Sequence, residues 1–206
     1  MNVLLINGSP HKNGCTNAAL AEVAKTLNEA GIETTIFPIG AAPVGGCVSC
    51  GGCGKAGKCV FGGPVADVLP LVEKADGIVF GAPVHYATAA ASMLGFMHRL
   101  AISGGKYLRH KPAAVVTSAR RAGTTTALEA MEKVPQFFEM PLISSTYWPM
   151  VHGGKAEDVL SDEEGLQIMR NLGRNMAWML KCIEAGKAAG IVAPTAENDK
   201  RTNFIR

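Results

Sequence analysis

Four cysteines fall in one short window, Cys47, Cys50, Cys53 and Cys59, with two residues between each of the first three and five before the last. Thiolates at that spacing can converge on one small object. An iron-sulfur cluster, a zinc ion and a set of metal-free redox thiols are the candidates. Ferredoxin-type runs open with the same spacing, whereas structural zinc more often joins two separated knuckles. Glycines 51, 52, 54 and 57 permit the tight wrapping that a metal centre needs. A disulfide framework is not expected, because nothing else in the chain has the character of a small secreted scaffold. Cys182 reads as a core residue. Cys15 opens a helix, where its thiol could be activated.

A second group of chemistry-bearing residues is Gly8-Ser9-Pro10-His11-Lys12-Asn13-Gly14-Cys15-Thr16-Asn17. Small residues and glycines ahead of a helix leave backbone N–H groups free, and with the helix dipole they suit a phosphate. Ser9, Thr16 and Asn17 add side-chain donors. Ser9-Pro10 breaks the dinucleotide fingerprint, and Cys15-Thr16 stands where a nucleotide P-loop requires Lys followed by Ser or Thr. A plain helix cap by Thr16 is the bland alternative.

Two further loops carry unusual residues. Ala82-Pro83-Val84-His85-Tyr86 offers a fixed bend, a ring for a planar ligand, and a histidine suited to a polar contact or to general acid work. Ser118-Ala119-Arg120-Arg121-Ala122-Gly123-Thr124 sets two arginines beside a turn of small residues, an arrangement for a ligand that gains negative charge. A solvated arginine pair is the alternative.

The elements that position these loops alternate. Apolar runs at residues 3–6, 33–37, 77–81, 113–117 and 142–147 read as strands. Helices are expected at 15–30, from Pro64 to about 75, at 90–100, at 124–138 with a bend near Pro135, and along Leu166, Met169, Leu172, Met176, Leu180 and Ile183. Five strands alternating with helices imply a doubly wound, flavodoxin-like α/β three-layer sandwich with a five-stranded parallel sheet in the order 2-1-3-4-5. Ligands in such sheets bind outside the carboxyl ends of the strands, where the three loops fall. Residues 1–185 form the domain, with a cysteine-rich insertion at about 45–62, and residues 186–206 form a tail. Hydrophobic residues at 48% and charged residues at 18% exclude a disordered chain. A net charge of +3 gives no reason to expect nucleic acid or a membrane surface as partner. The first residues read as a strand rather than a leader, so the expected location is the cytoplasm.

In order and spacing, these loops resemble the three flavin loops of the NAD(P)H-dependent FMN reductase family. The resemblance implies FMN, with its phosphate on Ser9, His11, Gly14, Cys15, Thr16 and Asn17. It places the ribityl chain and ring along Pro83, Val84, His85 and Tyr86, and the ring edge at Ser118, Arg120, Arg121 and Gly123. His11 replaces an arginine common in the family, and Cys15 an asparagine or glycine. With its cysteine run, the chain is similar to the iron-sulfur flavoproteins. That implies a [4Fe-4S] cluster on Cys47, Cys50, Cys53 and Cys59, NAD(P)H as co-substrate, and a small-molecule acceptor or a redox protein as electron outlet. It also implies a homodimer or homotetramer. The run lacks the acidic residues expected after the last cysteine. A non-enzymatic FMN and cluster electron carrier is the rival reading, and a zinc-stabilised interaction module with no flavin is the third. The terminal Phe204-Ile205 suggests a tail that docks, on a neighbour or on its own chain.

Overall fold

Alternating burial along the first strand already fixes a layered architecture. In β1 (Asn2–Asn7), Leu4 and Ile6 face one core while Val3 and Leu5 face another, the mark of a strand covered on both sides. The computed structural model describes residues 1–200 and Thr202. The chain continues through α1 (Cys15–Glu29), β2 (Glu33–Pro38), α2 (Gly52–Ala56), α3 (Pro64–Asp67), α4 (Leu69–Lys74), β3 (Gly77–His85), β4 (Thr88–Ala89) and α5 (Ala91–Gly104). It ends with β5 (Ala113–Ala119), α6 (Thr124–Phe137), β6 (Met150–His152), α7 (Ala156–Val159) and α8 (Glu163–Ala188). The sheet runs β2-β1-β3-β5-β6, with each adjacent pair parallel. The expected order holds, and the fold is the flavodoxin-like doubly wound sandwich.

One core packs α3 to α6 on the face bearing Leu4, Ile6, Ile78, Phe80 and Val115. The other packs α1 and α8 on Val3, Leu5, Val79 and Val116. Leu20, Val23 and Leu27 of α1 are wholly buried, as their spacing predicts, and each contributes roughly 1.5–3 kcal/mol by leaving water.

The structure corrects several boundaries. The sheet has six strands rather than five, because β3 continues through Pro83, Val84 and His85 and turns back antiparallel as β4. The expected helix from Pro64 is two pieces broken at Val68, since Pro70 has no N–H to continue the ladder. The expected strand at 142–147 is reduced to a single bridge from Leu142 to Ala113, and pairing resumes only at β6. Hydrogen bonds to α8 explain the loss. Ser145 Oγ donates to the Ile168 carbonyl at 2.7 Å, and Asn175 Nδ2 donates to that of Ser144 at 2.8 Å. The segment is thereby drawn toward α8 and leaves a pocket of about 410 Å³ against Val115, beside the exposed Tyr147–Trp148 pair.

The last helix runs to Ala188, past the expected end near 185, and Cys182 is exposed on it rather than in the core. After the helix, the Pro194 carbonyl oxygen lies 3.1 Å from His110 Nε2, so the start of the tail returns to its own chain. Phe204 and Ile205 lie outside the described residues. No described helix is long and apolar enough to cross a membrane.

Candidate functional site

The carboxyl ends of β1, β3 and β5 bring the three loops to one rim. At β1, Asn7 is fully buried and organises the first loop: its Oδ1 accepts from Ser9 N at 3.0 Å, and its Nδ2 donates to Lys12 O at 3.2 Å. Ser9 Oγ in turn accepts from His11 N at 3.1 Å. The loop then enters α1 at Gly14, which offers no side-chain cap, and no acidic residue occupies the first turn. The N–H groups of Cys15, Thr16 and Asn17 have no acceptor among the described residues. α8 shows the contrast, because Asp162 caps it and accepts from Gly165 N at 2.9 Å. An uncapped helix start behind a hydroxyl-rich loop suits an anion.

The loops also meet one another. Thr16 Oγ1 and Ser118 Oγ are 2.9 Å apart and buried, which ties the first loop to the end of β5. Gly123 has φ +93°, and a Cβ there would stand 2.6 Å from Ala87 Cα, so glycine is required both by conformation and by close approach. Tyr86 and Ala87 take positive φ values of 49° and 60°. Strain of this kind in non-glycine residues concentrates at ligand sites. The turn presents the Tyr86 ring fully to solvent. Val84 lies under Gly123, and Pro83 bonds back through its carbonyl to Ala90 N at 3.0 Å. His11, His85, Arg120 and Arg121 are exposed on the rim, and their side chains make no hydrogen bond with a described residue.

Cys15 behaves differently from the expected activated thiol. Its Sγ donates to the Gly153 carbonyl at 3.4 Å, and burial pushes the thiol up from its ordinary value, aided by the charges of Asp158 and Glu157. The residue's own backbone N–H pulls the other way and loses.

The four window cysteines gather at a second place. Cys47, Cys50, Cys53 and Cys59 line one pocket with Phe61, Arg99 and Ile102. Ser49 takes a positive φ of 54° and turns its N–H onto Cys47 Sγ at 3.4 Å. Among the described residues, no three His, Cys, Asp or Glu side chains converge closely enough to hold a metal ion as they stand. Cys47 and Cys50 are exposed, and Cys53 and Cys59 are half-buried.

The window is held by one face of α5. Ser92 Oγ accepts from Val44 N at 3.3 Å. At Gly95 the Val44 carbonyl comes so near that a Cβ would stand 2.4 Å from it. Arg99 then reaches Cys59, and the Ile102 carbonyl lies 4.0 Å from Cys53 Sγ. Steps of three and four residues keep these positions on one helical stripe. Sequence reading missed Arg99. The available signal was the one Lys, Arg, Asp or Glu in a mostly apolar helix, between His98 and Leu100.

Fold and rim together define a flavodoxin-like protein whose first loop leads into an uncapped helix start, with the exposed Tyr86 turn on the same rim. A sequence profile of the family described as NADPH-dependent FMN reductase matches residues 1–155, and the chain belongs to that family of flavoprotein oxidoreductases. It is 30% identical over 192 residues to an iron-sulfur flavoprotein of Methanocaldococcus jannaschii, a match that covers 89% of this chain and 100% of that one. Among solved structures, RosB with a bound 8-demethyl-8-formylriboflavin-5'-phosphate superposes with a TM-score of 0.70 at 12% identity, over 100% of this chain and 94% of RosB. A flavodoxin-type, WrbA-like protein of Agrobacterium tumefaciens gives 0.64 at 15% identity, over 88% of this chain and 98% of that one. At such identities the likeness is one of fold.

Proposed function

We propose that the protein is an FMN-dependent NAD(P)H oxidoreductase of the iron-sulfur flavoprotein kind, with a [4Fe-4S] centre on Cys47, Cys50, Cys53 and Cys59. The observation that carries the flavin reading is the uncapped start of α1, joined by Thr16 and Ser118 to the rim where Tyr86 and Gly123 meet. The residues fit the group. Three unpaired amides and the Ser9 and Thr16 hydroxyls suit a phosphate dianion, and the β3–β4 turn offers a shelf for a flat ring. Bound FMN supplies the acceptor for a hydride from NAD(P)H and the store from which electrons leave.

The chain itself binds and orients. Ser9, His11, Gly14, Cys15, Thr16 and Asn17 would hold the phosphate. Pro83, Val84, His85 and Tyr86 would border the ribityl chain and ring, and Ser118 and Gly123 the ring edge. Arg120 and Arg121 place positive charge where a reduced ligand becomes negative. No side chain need act as a base for hydride transfer.

At the window, soft sulfur donors, glycine turns and a backbone N–H aimed at Cys47 Sγ fit an iron-sulfur centre. Electrons would pass to a small-molecule acceptor or a redox protein, and the reading includes a homodimer or homotetramer in the cytoplasm. The test is a visible spectrum of anaerobically purified protein, with flavin, iron and sulfide assays and rates of NADH and NADPH oxidation. Flavin bands, a broad shoulder bleached by dithionite and fast NAD(P)H oxidation are expected. Protein that takes up no FMN overturns the reading.

A further inference from the structure

We propose that Arg99 is the positioning and counter-charge residue of the cysteine centre, acting through Cys59 to favour the reduced cluster. The inference rests on the cluster reading above and adds a residue that lies outside the cysteine run, on a different element.

Arg99 sits in the third turn of α5 and is only 9% exposed. Its fork closes on one sulfur: Nε and Nη2 donate to Cys59 Sγ at 3.3 and 3.2 Å, and Nη2 also donates to the Gly62 carbonyl at 2.8 Å. The Phe61 ring covers the guanidinium, with its centroid 6.0 Å from Cζ. None of the described carboxylates pairs with it. A buried guanidinium without a carboxylate is costly unless another anion compensates it. The sequence narrows the choice. From Ala41 to Gly63 the only charged residues are Lys55 and Lys58, and in α5 Arg99 is the only Lys, Arg, Asp or Glu. Arg99 is the one charged residue that lines the pocket, which is walled by four sulfurs. A four-thiolate metal centre is anionic, and one electron donated by dithionite makes it more so. A fixed cation hydrogen-bonded to a ligand sulfur stabilises that added charge, and hydrogen bonds to sulfur are a recognised lever on cluster potential.

The experiment compares anaerobically reconstituted wild type with Arg99→Gln and Arg99→Lys for iron and sulfide content, FMN content and cluster reduction potential. Arg99→Gln should keep FMN and load the cluster, yet shift its potential to more negative values. Arg99→Lys, which keeps the charge and loses the fork, should fall between the two. A second measurement needs no variant. Wild-type protein labelled with 15N-arginine should show coupling of guanidinium nitrogen to the reduced cluster by pulsed paramagnetic resonance. A loaded Arg99→Gln with an unchanged potential, or absence of the 15N coupling, overturns this inference and leaves the cluster reading intact. Wild-type protein that takes up neither iron nor sulfide overturns the cluster reading itself, and this inference with it.

Discussion

At the scale of single residues, Cys15 shows two opposing effects of one location. A thiol at a helix start gains from the dipole. Here the side chain is tucked against Gly153 and faces Asp158 and Glu157, and burial dominates, so its pKa is raised. A raised value means a smaller thiolate fraction at any pH below it, and reactivity that climbs only at higher pH. In flavin-free protein at pH 8, iodoacetamide should therefore modify the half-buried Cys15 more slowly than the exposed Cys182, because the thiolate is the nucleophile and must also be reached. Peptide mass spectrometry across pH 7 to 10 would read both rates, and equal rates at pH 8 would show that the helix start prevails. The two cysteines also mark what a sequence conveys at this scale. Each was placed on a helix correctly, but burial depends on distant neighbours: Gly153 lies 138 residues from Cys15.

At the scale of elements, α5 is the platform of the cysteine window. Its inward face was legible from the helical spacing of Met93, Leu94 and Met97, and Phe96 and Leu100 complete it, with Leu94 only partly buried. The neighbouring stripe of Ser92, Gly95, Arg99 and Ile102 was not, because its meaning appears only when residues 44–62 lie against it. Gly95 is its tightest point. Gly95→Ala would favour the helix intrinsically, yet its Cβ would meet the Val44 carbonyl at 2.4 Å, and backbone rather than a flexible side chain must yield. The clash should dominate, with a net loss of about 1–3 kcal/mol. Thermal unfolding should show that loss, and limited proteolysis should show faster cleavage between Val44 and Gly63 than in wild type. A more stable Gly95→Ala, uncleaved in the window, would mean that the loop does not dock on α5. The interrupted edge strand teaches the same lesson from the other side. Leu142, Ile143 and Tyr147 supplied enough apolar character to suggest a strand, but the intervening Ser144, Ser145 and Thr146 found partners on α8 instead.

Over the whole molecule, the rim loops join elements from every layer, so a ligand seated there should stabilise the entire fold. The loops themselves were legible because each is contiguous in sequence. Their mutual contacts, Thr16 with Ser118 and Gly123 with Ala87, were not, since they span the sheet. A ligand that binds only the folded state at a hundred times its dissociation constant adds about 2.7 kcal/mol. For a chain of this length that corresponds to a rise of roughly 5–11 °C in Tm. FMN should produce such a rise in protein stripped of flavin. Riboflavin at the same concentration should produce much less, because the amides of Cys15, Thr16 and Asn17 would meet no phosphate. Raising the salt concentration should weaken the FMN effect only modestly, since the proposed contacts would be short hydrogen bonds at a partly buried loop rather than long-range attraction to a chain of net charge +3. Calorimetry of the three samples separates the possibilities. Equal shifts with FMN and riboflavin would place the binding energy on the ring shelf at Tyr86 and remove the helix start from its assigned role, whereas a shift with FMN alone ties it to the uncapped turn of α1.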